Sequence, residues 1–420
     1  MDTYILAVSI AIPIFILLII LEAIAAYKMG IIINSSADMI SSLSSGITNT
    51  ARDAIKFGFV LISYEWLINH ITIIKLEPVW FAIIIACLIQ DFAGYWMHRL
   101  NHRVNIFWNR HIIHHSSEEF NLSCALRQSI SDNIKFSALL LLPAAILGIP
   151  SSIFVIIGPI HLFMQFWYHT RLIDKMGVLE KILVTPSHHR VHHAINPEYI
   201  DKNYSQIFII WDKIFGTFQA EEQSITPIYG VLRPVKTWNP IVINFKHFWQ
   251  IALDAYHTKN LIHKITIWFM PTGWRPSDIN NMYPINNINN PYNYKKYSKK
   301  NSNQLISWAW IQFFLSGIIL YFIFFLIIFS NDINYSSMII NLICIILFIH
   351  IMSYTFLLDH NKLSILMELF KFIITLSMFI MLHRLGNEIY TSITLIIVAY
   401  LFISLLLTIY LYNNSRNKHA

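Results

Sequence analysis

Residues 111–129 read HIIHHSSEEFNLSCALRQS. Three imidazoles, His111, His114 and His115, fall within five positions, and two serines and two glutamates follow them. Two other stretches repeat the pattern: HRLNH carries His98 and His102, and SHHRVHH carries His188, His189, His192 and His193. An even spread of 19 histidines over 420 residues would leave about one between His98 and His115, where five stand. On a helix, residues three or four apart share a face. His98 with His102, His111 with His114 and His115, and His189 with His192 and His193 therefore each present imidazoles to a common point. Imidazole is a neutral ligand suited to Fe, Cu, Zn and Ni. These imidazoles exceed the roughly six positions of one octahedral ion, so two metals are the economical reading.

The rest of the chain is oily. Hydrophobic residues make up 55% and charged residues 13%, whereas a soluble domain is about 25% charged. That balance points to an all-α, polytopic integral membrane protein, in which the loop charges considered below put the helical, histidine-rich metal site on the cytoplasmic side. The formal charge of +7 is then assigned to cytoplasmic loops and not to a nucleic-acid surface. Cys87, Cys124 and Cys344 form neither a CxxC zinc motif nor a disulfide framework.

A membrane span needs about 20 apolar residues. Candidate runs are Ile5–Ala26, Ile55–Ile74, Val79–Met97, Phe136–Tyr168, Ser307–Phe329, Met338–Leu358, Leu363–Leu382 and Ile389–Tyr412. The run Phe136–Tyr168 carries GIPSS at its middle, and Gly148 and Pro150 break a helix there. It is read as a hairpin, giving about nine transmembrane helices. Ile5–Ala26 follows MDTY, without positive charge, and is longer than the core of a signal peptide, so it is read as a retained span.

Cationic residues alternate between loops in agreement with this order. Lys28, Arg52 and Lys56 flank one loop, and most lysines lie between Arg171 and Gln304, ending in YKKYSKKN. The exception is Arg384, beside Glu388. Four regions follow: N-terminal spans (1–78), a catalytic region (79–220), interfacial helices with an Asn-rich basic linker beside lipid headgroups (221–305), and a C-terminal four-span bundle (306–420). The middles of the spans read as nearly free of ionisable groups. That weighs against a metal transporter, whose site lies near the bilayer midplane.

His169 ends the hairpin in QFWYHT, level with the clusters, and joins the candidate ligands. His70, His161, His247, His257, His263, His350, His360 and His383 are isolated and read as packed or interfacial. Ligating imidazoles usually donate their other N–H to a carboxylate or carbonyl. Asp91, seven residues before His98 on one helix, and Glu118 and Asp201 are the carboxylates expected to support the ligands; Glu119, Glu198 and Asp212 are further candidates.

The order HxxxH, HxxHH, HxxHH after paired spans resembles the fatty acid hydroxylase and sterol desaturase superfamily of membrane-bound, non-haem di-iron oxygenases. HHSSEEFNLSCALRQS and SHHRVHHAINPEYIDKNYSQIFIIWDKIFGTF narrow the resemblance to its alkylglycerol monooxygenase branch. The resemblance implies two Fe ions held by His98, His102, His111, His114, His115, His189, His192 and His193, with His188 just outside the third box. It implies no catalytic side chain beyond the metal ligands, with O2 as co-substrate and tetrahydrobiopterin as a further cofactor. The implied reaction hydroxylates the ether-bearing carbon of a glycerol ether lipid, whose product collapses to an aldehyde and glycerol. In that branch Glu follows the first box, whereas Arg103 stands here. Sterol desaturation and fatty acyl hydroxylation are the alternatives within the superfamily. The electron donor is not legible in the sequence. The membrane would be the endoplasmic reticulum in a eukaryote and the plasma membrane in a bacterium.

Overall fold

The computed structural model describes residues 2–55, 59–132, 134–329, 333–384 and 391–417. Lys56, Glu388 and the side chain of Arg384, used in reading the loop charges, lie outside what is described.

The first helix, α1 (Asp2–Lys28), is almost wholly apolar and largely exposed, as expected of a helix facing lipid. The next, α2 (Ser36–Ala54), differs: it buries a face of small hydroxyl residues, Ser41, Ser42, Ser44, Ser45 and Thr48. Small side chains let neighbouring backbones approach closely in an apolar setting.

The expected span Ile55–Ile74 is not one helix. It divides into the short strand β1 (Phe59–Val60) and the eight-residue α3 (Tyr64–Ile71). Ser63 starts α3 by accepting the Trp66 N–H at 3.1 Å, and β1 pairs in parallel with β2 (Ile134–Lys135). A true long helix follows, α4 (Val79–Arg103), with the first histidine box in its last two turns. The short helices α5 (Asn105–Trp108) and α6 (Ile112–His115) carry the chain back under it.

The expected hairpin does turn at Gly148, which takes φ +61°; a Cβ there would stand 2.5 Å from the Ile74 carbonyl oxygen. Its arms are short, however. One is a segment from Ser137 through α7 (Leu142–Ile146), the other α8 (Ser151–Phe166), 16 residues long. At 1.5 Å per residue a helix of that length reaches about 24 Å, less than the roughly 30 Å hydrocarbon core. Among the described residues, six helices are long and apolar enough to cross a membrane: Ile5–Lys28, Val79–Arg103, Asn303–Phe329, Ser337–Leu358, Leu363–Met381 and Thr394–Arg416. Six such helices and a short hairpin stand in place of nine spans.

Beyond the hairpin lie α9 (Pro186–His192), α10 (Ile210–Ile214), α11 (Pro240–His257), α12 (Leu261–Thr266) and α13 (Ser277–Met282). The long helices α14 (Asn303–Phe329), α15 (Ile333–Leu358), α16 (Leu363–Arg384) and α17 (Thr391–Asn417) follow. They share one apolar core with α1 and α2, in which Ile5, Ile40, Leu305, Leu347 and Leu411 meet.

The span interiors are not free of charge, contrary to expectation. Lys371 and Glu368, each 2% exposed, pair at 2.7 Å inside the C-terminal helices. Ser353 and Ser404 donate to the Glu368 carboxylate, and the Lys371 ammonium reaches His350 Nδ1 at 3.2 Å. An unpaired ion in hydrocarbon costs several kcal/mol, so such groups occur where they face one another.

Candidate metal centre

Helix geometry places the imidazoles. His98 and His102 lie one turn apart on α4 and point the same way. His111 caps α6, which bears His114 and His115. Pro186 opens α9, a position that suits proline, and the helix bears His189 and His192, with His193 as its C-terminal cap. These ends converge into two groups. In one, His98, His102, His111, His115 and His192 hold a ligand atom each within 4.8 Å of one another; in the other, His114, His169, His189 and His193 do the same. His169 thus stands with the box histidines. His188 belongs to neither group, its Nδ1 lying 3.4 Å from the Thr185 hydroxyl.

The nitrogens face inward at close range. In the first group the Nε2 atoms of His98 and His111 are 2.9 Å apart, and His115 Nε2 is 3.1 Å from each of His102, His111 and His192. His98 donates its Nδ1–H to the Tyr204 carbonyl at 2.7 Å, and His192 donates its Nδ1–H to the Lys202 carbonyl at 2.9 Å. A carbonyl only accepts, so these bonds leave both Nε2 atoms as bare lone pairs. His115 Nε2 has three nitrogen neighbours and at most one proton to share. In the second group the His169 Nε2 is 2.9 Å from that of His189 and 3.2 Å from that of His114, and His193 is 3.0 Å from His189.

Burial and the closeness of the other imidazoles hold His111, His115, His189, His192 and His193 well below the usual histidine range, and burial takes His114 down to about 3. Protons therefore do not satisfy these lone pairs at neutral pH. A shared cation in each group would, and neutral imidazole is a donor that iron, like Zn, Cu and Ni, accepts. The donor set therefore fits two iron ions. His98, His102, His111, His115 and His192 would hold one, and His114, His169, His189 and His193 the other.

The carboxylates expected to orient the ligands act at one remove. Asp91, fully buried, accepts from the Ile207 and Phe208 N–H groups at 2.9 and 3.0 Å, from Trp211 Nε1 at 2.9 Å and from His161 Nε2 at 3.2 Å. It pins the loop before α10 instead of touching a box histidine. Asp212 holds the same loop by accepting from the Tyr204 and Ser205 N–H groups, each at 2.8 Å. The loop in turn presents the Tyr204 carbonyl to His98.

Asp201 comes nearest to the expected role. Its carboxylate is 3.9 Å from His102 Nδ1 and is held at 2.9 Å by Arg103. Glu118 turns away to accept from the Tyr294 hydroxyl and the Tyr297 N–H, at 2.6 and 2.5 Å, and burial raises its carboxyl above the usual range. Glu119 pairs with Arg171 and Lys296, and Glu198 accepts from the Tyr292 hydroxyl. Both glutamates that follow the second box thus clamp the basic linker onto it.

Sequence reading missed the largest support of the second box. Arg127, 1% exposed, pairs with Asp38 on α2 at 2.7 Å and donates to Ser116, directly after His115, at 2.7 Å. Ser117 donates to the same aspartate at 2.7 Å. The only sequence signal was an arginine in an apolar neighbourhood. His161 and His247 are buried and hydrogen-bonded, to Asp91 and to the Asn105 carbonyl, as packed histidines are.

Residues 83–217, which hold every histidine of both groups, match the family model described as fatty acid hydroxylase. The match covers less than half of the chain. The chain is also similar to proteins named alkylglycerol monooxygenase. It is 40% identical over 271 residues to that of Homo sapiens, covering 63% of this chain and 59% of the relative. It is 40% identical over 243 residues to that of Xenopus tropicalis (57% and 53%) and 38% identical over 244 residues to that of Danio rerio (57% and 53%). The match thus spans somewhat more than half the length of these relatives. No solved structure matches the chain.

Proposed function

We propose that the chain is a membrane-embedded lipid monooxygenase. With two bound irons, O2 and two electrons from a reductant, it would hydroxylate the ether-bearing carbon of a glycerol ether lipid while the second oxygen atom leaves as water. The resulting hemiacetal then separates into an aldehyde and glycerol. The observation that carries this reading is the pair of adjoining imidazole groups at the end of an apolar span. A bound iron pair supplies the activation of O2 and the attack on an unreactive C–H bond. The protein's own part is placement. His98 and His102 close the last turns of α4, so the centre sits where a lipid's headgroup meets its chains. The Tyr204 and Lys202 carbonyls fix the rings of His98 and His192, and Asp38 with Arg127 fixes the backbone behind His115. The walls around these rings are buried, which keeps bulk water from the lipid carbon.

The distribution of Lys and Arg in the loops supports a cytoplasmic position for the centre. The match to alkylglycerol monooxygenases over more than half the chain favours an ether lipid over a sterol or a ceramide. Arg103 engages Asp201 where that branch has glutamate, so the reductant is tested directly. The purified protein is given an alkylglycerol, a sterol and a ceramide, each with and without tetrahydrobiopterin, and bound metals are counted. About two irons per chain and aldehyde release from the alkylglycerol support the reading. Weakly held zinc with no oxidised lipid would overturn it.

A further inference from the structure

The basic linker and the C-terminal helices enclose a second polar feature, away from the metal centre. Four helix ends meet there. Ser298, Lys299 and Lys300 lie just before α14, His360 lies between α15 and α16, and Tyr412, Ser415 and Arg416 lie in the last turns of α17. Between them is a cavity of about 690 Å³, within the 300–1,000 Å³ typical of small-molecule sites. Its lining includes three fixed cations and three hydroxyls but no carboxylate. Among the described residues, Lys299, Lys300 and Arg416 make no ion pair. The nearby carboxylate of Asp359 is occupied. It accepts from the Thr237 hydroxyl, the Trp238 N–H and the Tyr297 hydroxyl, and burial raises it to about 6. Lys299 acts electrostatically on the Asp359 carboxylate; the positive charge gathered around the open cavity still exceeds the negative charge lining it and favours an anion there.

The surroundings point to the form of that anion. The cavity opens where apolar helices long enough to cross a membrane end, and the ends of such helices lie near a bilayer's headgroups. On α17, Tyr410, Leu406 and Phe402 are 53%, 50% and 54% exposed on a face to one side of the cavity-lining Tyr412, Ser415 and Arg416, so apolar helix surface lies beside the cavity and not along it. Basic pockets between membrane helices favour anionic headgroups.

We propose that this cavity binds the headgroup of an anionic phospholipid, with Lys299, Lys300 and Arg416 on its phosphate and Ser298, Ser415 and Tyr412 as hydroxyl partners. The site is separate from the imidazole groups and does not depend on what they catalyse. Tyr297, directly before its first residue, bonds both Glu118 behind the second box and Asp359 beside the cavity. A lipid held there also fastens the linker that borders the metal centre.

The test uses the full chain in a neutral detergent, titrated with phosphatidylglycerol, phosphatidylcholine or inorganic phosphate. Thermal midpoint and lipid retained in native mass spectrometry are the readouts. Phosphatidylglycerol is expected to be retained and to raise the midpoint, and the other two to do neither. Each surface cation contributes about fivefold to the affinity for an anionic lipid surface. The variant Lys299→Gln/Lys300→Gln/Arg416→Gln therefore loses on the order of 100-fold. Arg416→Gln alone, read if the triple variant does not accumulate, loses about fivefold. Lys295→Gln/Lys362→Gln, outside the cavity, retains the lipid. Equal retention of phosphatidylcholine, an equal loss in that control variant, or undiminished binding by the triple variant overturns the proposal. A response to inorganic phosphate matching that to phosphatidylglycerol overturns the assignment to a lipid.

Discussion

His115 and His193 stack with ring centroids 4.2 Å apart and planes 18° from parallel, yet their Nε2 atoms serve different imidazole groups. The two groups therefore share a wall, and a change to either ring disturbs both. His115→Ala is expected to lower bound iron from about two per chain to well below one, with lipid turnover lost and membrane insertion intact. His188→Ala, in neither group, keeps both irons. Metal analysis of membrane-extracted protein checks this, and a His115→Ala variant that still binds one full iron would contradict the shared wall.

His169 lies outside all three boxes but contributes one of only four imidazoles in the second group, within 2.9 Å of His189. The first group retains its five without it. His169→Ala should therefore remove about one iron of the two, while His98→Ala should spare the second group. A His169→Ala protein with full iron content assigns this ring to packing alone.

The metal-free protein should lose stability on mild acidification. Burial places the folded-state value for His114 at about 3, far below its ordinary 6.5, and the other buried box rings shift in the same direction. Between those values the unfolded chain binds more protons than the folded one, so stability rises with pH there and is flat above about 6.5. The linkage amounts to about 1.4 kcal/mol per pH unit for each such ring while it lasts. Chelated protein is expected to show a falling thermal midpoint below pH 6.5, and iron-loaded protein a smaller fall. A midpoint independent of pH between 6.5 and 5 would speak against buried neutral rings.

The clusters were legible because their spacing, three and four residues, is that of a helix face. That local rule says which rings share a turn, and three turns with eight rings leave few alternatives to a common centre. His169 was legible only from its level in the membrane. Partnerships across the fold were not legible. Asp38 and Arg127 are 89 positions apart, and no periodicity links an aspartate on a serine-rich helix to an arginine after a 3₁₀ turn. The carboxylates near the boxes were assigned by proximity in sequence. Helix α4 instead turns Asp91 toward the Ile207 and Phe208 backbone N–H groups and the Trp211 indole N–H, which needed an acceptor. The nine-span count is not borne out among the described residues: Ser63 starts a short helix inside the run Ile55–Ile74, and the hairpin that turns at Gly148 as read has arms too short to cross. The charges of Glu368 and Lys371 sit three apart in an apolar run, a pattern that signals a paired ion rather than a gap in the span.

That pair yields a prediction of sign. Removing one member of a buried ion pair strands the other and costs about 3–5 kcal/mol, whereas replacing both by apolar residues is often nearly neutral. Lys371→Met should therefore destabilise the C-terminal helices strongly, and Glu368→Leu should do likewise, because Lys371 would then face His350, Ser404 and the Tyr400 ring but no carboxylate among the described residues. The double variant Glu368→Leu/Lys371→Met should recover much of the loss, although the Ser353 and Ser404 hydroxyls lose an acceptor. Denaturation of the detergent-solubilised protein followed by tryptophan fluorescence measures all three. If the double variant is as unstable as the sum of the singles, the two charges act independently and the pair is not what holds α16 to α15 and α17.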